Sequence, residues 1–158
     1  MAQNMNNFYN WQQANKLDMQ RFRKESPNLT VIKDYVMKRW QGTNLGTYGV
    51  RPIKGGESPS SHSFGVAWDY RAPNRKKMLE VIKFLIDNSE ELGVQAVHDY
   101  QDCRIWRSFR VNGKRGWVKQ KPDKHGMGQP WGTWIHVEIT KDSWKDKRPI
   151  DVRLSDLS

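Results

Sequence analysis

Residues 133–140 read Thr-Trp-Ile-His-Val-Glu-Ile-Thr, a strict alternation that only a β-strand can use. Successive side chains of a strand point to opposite faces, so Ile135, Val137 and Ile139 face one way and Trp134, His136, Glu138 and Thr140 the other. A wholly apolar strand face must lie against a second layer. The chain supplies one upstream, between about Asn74 and Leu92, where Met78, Ile82, Leu85 and Ile86 fall on one helical face and Gly93 follows as a C-terminal cap. Thr30 to Trp40 repeats the pattern with Ile32, Tyr35, Val36 and Trp40. Val94 to Val97 and Arg104 to Trp106 read as further short strands. Helices and strands come in blocks rather than in alternation, which predicts an α+β fold, a small antiparallel sheet with flanking helices.

The core that joins these layers is aromatic. Only 36% of the 158 residues are hydrophobic, yet eight Trp, five Tyr and five Phe supply burial that aliphatic side chains usually provide. Cys103 is the single cysteine, which excludes an intrachain disulfide and any cysteine-based zinc knuckle, and it reads as a small buried filler. No run approaches the roughly 20 apolar residues of a membrane span. The first seven residues have neither a basic nor an apolar leader region, so a soluble, leaderless product is expected. Residues 1–27, rich in Asn and Gln with Phe8, Tyr9 and Trp11 interleaved, read as a polar N-terminal arm with one or two helical turns, closing at Ser26-Pro27-Asn28. Residues 28–158 then form one domain. Within it, the five glycines of residues 42–61 indicate loop or hairpin, without the Gly-Lys-Ser/Thr of a phosphate loop.

Four histidines are available, His62, His98, His125 and His136. His62 and Asp69 lie seven residues apart, and imidazole and carboxylate are ligands that zinc takes in hydrolytic sites, with an open position left for water. His136 on the regular strand is the natural third. A His-x6-Asp pair alone is more often a structural histidine and a surface aspartate. The string Ser60-x-His62-x-x-Gly65-x-Ala67-x-Asp69, however, resembles the S-x-H-x-x-G-x-A-x-D motif of the VanY-like zinc D,D-carboxypeptidase and L-alanyl-D-glutamate endopeptidase family, which includes many phage endolysins. Trp134-Ile135-His136-Val137-Glu138 resembles the family's strand ending in a metal-binding histidine. The stretch from Ala96-Val97-His98-Asp99-Tyr100 through Arg104-Ile105-Trp106-Arg107-Ser108 to Gly116-Trp117 is similar to the strand-turn-strand between those motifs.

The resemblance implies a hedgehog/DD-peptidase-like fold, Zn2+ held by His62, Asp69 and His136, and hydrolysis of a peptidoglycan stem or cross-bridge amide. It implies that Gly65 and Ala67 are small so that the chain can approach the metal, and that Arg51 binds the substrate carbonyl or stabilises the oxyanion, beside the alternative of a solvated arginine. Ser60 is either a substrate contact or a turn serine. For a phage-encoded chain the location is the host cytoplasm before lysis, or the virion, with residues 1–27 as a docking arm. The sequence departs from the family at the general base, since the positions three and two residues before the last metal histidine are Thr133 and Trp134. Glu138 shares a face with His136 about 7 Å along the strand, and is a displaced base, a partner that orients His136, or a surface charge. His98 and Asp99 are further candidates from the neighbouring strand.

A net charge of +10 completes the sequence-level picture, with eight of the 27 cations in residues 104–124 among Trp106, Phe109 and Trp117. Cations among aromatics suit nucleic acid, yet no nucleic-acid motif accompanies them. Cell-wall polyanions attract the same charge over long range. The leading expectation is therefore a zinc peptidase of peptidoglycan. The alternatives are a non-catalytic, metal-stabilised virion or wall-binding protein and, third, a basic nucleic-acid-binding module.

Overall fold

The computed structural model describes residues 24–49, 60–121, 131–140 and Ser143. Helix α1 spans Pro27–Trp40 and is started by Ser26, whose hydroxyl accepts the Leu29 N–H at 3.3 Å, with Pro27 placed where the helix needs no amide donor. Ser26-Pro27-Asn28, which reads as the end of a polar arm, is thus the cap and first turn of a packed helix. Residues 1–23 of that arm lie outside the described residues.

Helix α2 spans Arg75–Asp87 behind an Asn74 cap that accepts from Lys77 N–H at 2.9 Å. Its pattern predicts one helix to Leu92, but the helix closes at Asn88. The Asn88 backbone and side-chain amides both donate to the Phe84 carbonyl, and such local competition ends a helix. A single turn, α3 (Ser89–Leu92), follows and ends at left-handed Gly93.

Six strands form one antiparallel sheet: β1 (Thr43–Gly46), β2 (Ala67–Arg71), β3 (Val94–Asp99), β4 (Arg104–Val111), β5 (Lys114–Lys119) and β6 (Ile135–Ile139). Their spatial order is β1-β2-β6-β3-β4-β5, so the last strand inserts between β2 and β3. The α+β class and antiparallel sheet follow the sequence expectation. Strand β1 lies in the glycine-rich stretch as an edge strand on β2. Strand β4 is longer than expected from residues 104–106, and the basic segment after it continues as β5. Asn112 and Gly113 both take positive φ, 51° and 77°, the requirement of a two-residue hairpin turn whose twist matches the strands.

One sheet face is core. Trp68, Tyr70, Val97, Ile135, Val137 and Ile139 pack there against Leu29, Ile32 and Val36 of α1 and Met78, Val81, Ile82 and Leu85 of α2. The alternation of residues 135–139 therefore holds, with all three isoleucine and valine positions fully buried. Asp99 is buried on this side and pairs with Arg75 and Arg104 at 2.7 and 2.9 Å. Cys103 is a filler, packed with Tyr100 and Ile105 against Trp134. Among the described residues no helix is long and apolar enough to cross a membrane.

Candidate metal centre

The opposite face of β2, β6 and β3 carries a cluster of histidines and carboxylates. In the antiparallel register Asp69 of β2 lies directly across from His136 of β6, and His136 lies directly across from His98 of β3. Paired residues share a face, so these three side chains form one row across the sheet. His62 joins them from the short 3-10 turn Ser61–Phe64 that precedes β2. Ser60 caps that turn by accepting the His62 N–H at 3.3 Å, so it acts as a turn serine. Gly65 leaves the turn in the left-handed region with φ 70°, and a Cβ there would overlap the Lys24 carbonyl. Its smallness serves the approach of the segment leading into α1.

His62, Asp69 and His136 form a buried group whose ligand atoms lie close enough to hold one metal ion. Asp69 Oδ2 is 3.1 Å from His62 Nε2, and Oδ1 is 2.9 Å from His136 Nδ1. The outer nitrogens fix the tautomers. His62 Nδ1 is 2.6 Å from the Thr47 carbonyl oxygen, which can only accept, so the proton sits on Nδ1. His136 Nε2–H donates to Glu138 Oε1 at 3.0 Å and lies 3.2 Å from Ser61 Oγ. In their neutral forms both rings consequently aim lone pairs at a carboxylate, an arrangement that requires either extra protons or a cation between the groups. Anchoring the far N–H on a carbonyl or carboxylate is how metal-binding histidines are commonly held.

The electrostatics agree with that need for positive charge. Burial alone would raise the Asp69 carboxyl, but hydrogen bonds from His136 and His62 outweigh it and hold it well below the carboxylate range. Burial would lower His136, yet Asp69 and Glu138 lift it to about 9. Glu138 is likewise held low against its burial, chiefly by His136. His98 goes the other way, pushed down to about 3 by burial and by the neighbouring His136.

The supporting contacts were not visible in the motif. Thr47 accepts from His62 through its carbonyl and donates through its hydroxyl to Glu25 at 2.6 Å, which ties the His62 ring to the residues preceding α1. Gln95 donates to Glu138 Oε2 at 3.3 Å. His98 enters the site, its ring 4.8 Å from that of His136, and with His136 and Glu138 makes a second group with metal-binding separations. Asp99 does not enter, because alternation turns it to the helix face. Trp134 packs against Tyr100, with ring centroids 4.4 Å apart and the planes tilted by 57°. Thr133 is exposed. Arg51 and His125 lie outside the described residues. Comparison with protein-family models, curated proteins and solved structures returned no match.

Proposed function

We propose that the chain is a zinc-dependent hydrolase of peptide bonds in peptidoglycan, with the hedgehog/DD-peptidase-like arrangement that its His62 to Asp69 motif resembles. The observation that carries this reading is the convergence of two oriented imidazole lone pairs on one buried carboxylate. Two nitrogens and one oxygen match the three-ligand set of catalytic zinc, which keeps an open position. When bound, such an ion supplies a Lewis acid for a carbonyl and activates water near neutral pH. The protein's own part is to hold the ligands. Thr47 fixes the His62 ring, Glu138 fixes the His136 ring, and Asp69 supplies the negative charge between them. The excess of basic residues would draw the protein to wall polyanions.

Glu138 supports a second reading, in which the metal is a structural staple in a virion or wall-binding protein. Its carboxylate is engaged by His136 and Gln95, and the positions where the resembling family carries its base are Thr133 and Trp134. One experiment separates the two. Zinc-loaded protein is incubated with purified cell walls and the products are analysed by muropeptide mass spectrometry. New peptide termini, lost with chelator and in Asp69→Ala, support the hydrolase. Intact walls with about one zinc bound per chain refute it in favour of the staple.

A further inference from the structure

His136 has a carboxylate at each end of its ring. Asp69 Oδ1 lies 2.9 Å from Nδ1, and Glu138 Oε1 lies 3.0 Å from Nε2. Each end also has a second histidine. His62 completes the group with Asp69, and His98 completes a group with Glu138, both at metal-binding separations. Strand order is the cause. Because β6 runs between β2 and β3, the register sets Asp69 on one side of His136 and His98 on the other, while Glu138 stands two residues along the same strand face.

The second group is built like the first. Gln95 donates to Glu138 Oε2 at 3.3 Å, which leaves Oε1 turned to the His136 ring. Ser61 Oγ stands 3.2 Å from His136 Nε2 and also hydrogen-bonds Glu138, so a further oxygen donor lies at the same spot. The His98 ring is 4.8 Å from that of His136, and its Nδ1 is a buried atom with no hydrogen bond to the described residues. A buried polar atom in that state calls for an ion or a water. Two imidazoles and a carboxylate form a borderline donor set, suited to zinc or copper.

A neutral imidazole has one lone pair and serves one ion at a time. As an imidazolate it has one at each nitrogen and can join two ions. We propose that the centre takes a second divalent transition-metal ion, held by His98, His136 Nε2 and Glu138, with the His136 ring bridging it to the ion at His62 and Asp69. As the bond from the second ion to Nε2 forms, the N–H bond there breaks and its proton passes to solvent. That displacement makes the second ion the weaker-bound of the two, filled only with metal in excess. With Zn–N bonds of about 2.0 Å on either side of the ring, the ions stand about 6 Å apart, beyond the roughly 4 Å of two-metal hydrolytic sites, so the second acts on the first through charge. The inference rests on the metal centre above and is independent of the substrate.

The test is zinc titration calorimetry of the full chain in mildly alkaline buffer, carried into metal excess. Wild type should take about two zinc ions per chain in separable steps. His98→Ala, and His98→Phe, which keeps a ring in place, should each lose the second step and keep the first. Copper(II), which also favours imidazole, then reports the bridge in the wild type. At liquid-helium temperature the electron paramagnetic resonance signal of the first equivalent should fall as the second enters, because two copper spins joined by one imidazolate pair antiferromagnetically. A single zinc step in wild type, a second step that survives both His98 variants, or copper signals that simply add would each overturn the inference. A single step that His62→Ala removes would refute only the second ion and leave the first site standing. Two zinc ions in a protein that leaves cell walls intact would refute the hydrolase and leave the bridged centre in place.

Discussion

Replacing Glu138 by Gln tests whether this carboxylate orients a ligand or takes a proton. In the structure Oε1 accepts from His136 Nε2–H at 3.0 Å and Oε2 accepts from Gln95 at 3.3 Å. Glutamine keeps an acceptor for one bond but loses the charge and sets its amide against that of Gln95. A hydrogen bond to a charged group contributes about 1.5–3 kcal/mol, and loss of such partners weakens metal binding by about 10- to 100-fold. A second effect opposes this at neutral pH. With His136 lifted to about 9, its proton competes with the metal, and at pH 7 that competition is worth about two decades of affinity. Removing the Glu138 charge lowers His136 and relieves part of the competition. Zinc affinity is therefore measured by chelator competition at pH 7 and again above pH 9, where little proton remains to displace. The expected result is a 10- to 100-fold loss at high pH and a smaller loss at pH 7. Zinc affinity within twofold of wild type at both values, with turnover abolished, would refute the orienting role and make Glu138 the base.

Metal content should fall from about one zinc per chain to near zero in His62→Ala and Asp69→Asn, as read by elemental analysis; undiminished zinc in either removes the site. For the wild type, apparent zinc affinity should climb with pH from 7 and level above about 9, because His136 must shed a proton to bind; a flat profile contradicts the raised value. Gly65→Ala should cost at least about 2 kcal/mol, from the left-handed backbone and the overlap with Lys24, seen as a Tm lower by about 4 °C or more. The Asp99 carboxyl is held low by Arg75 and Arg104 against its burial, so it stabilises the fold above its unfolded value near 3.9 and loses that contribution as pH falls through its lower folded value. Asp99→Asn should accordingly weaken the protein at pH 7 and flatten the acid limb of its stability curve, whereas a limb as steep as wild type assigns acid unfolding to other groups.

Much of the architecture was legible because periodicity is local. The alternation at residues 135–139, the apolar stripe of α2 and the Gly93 cap each need only neighbouring residues to be read. The β4 to β5 hairpin is equally local, its turn specified by the Asn112-Gly113 dipeptide within the run of cations. The end of α2 at Asn88 was hidden because an amide that competes for one carbonyl overrides a good helical pattern.

The site divides along the same line. Sequence by itself determined that His62 and Asp69 are seven residues apart and that His136 shares a strand face with Glu138, since both follow from chain geometry. Only the tertiary structure decided that Asp69, His136 and His98 form one row, because the last strand inserts between β2 and β3 and that order is set by burial of the opposite face. It also decided which nitrogen of each ring faces Asp69, through Thr47 and Glu138. Strand order and tautomer both depend on partners distant in sequence, and no local pattern encodes them.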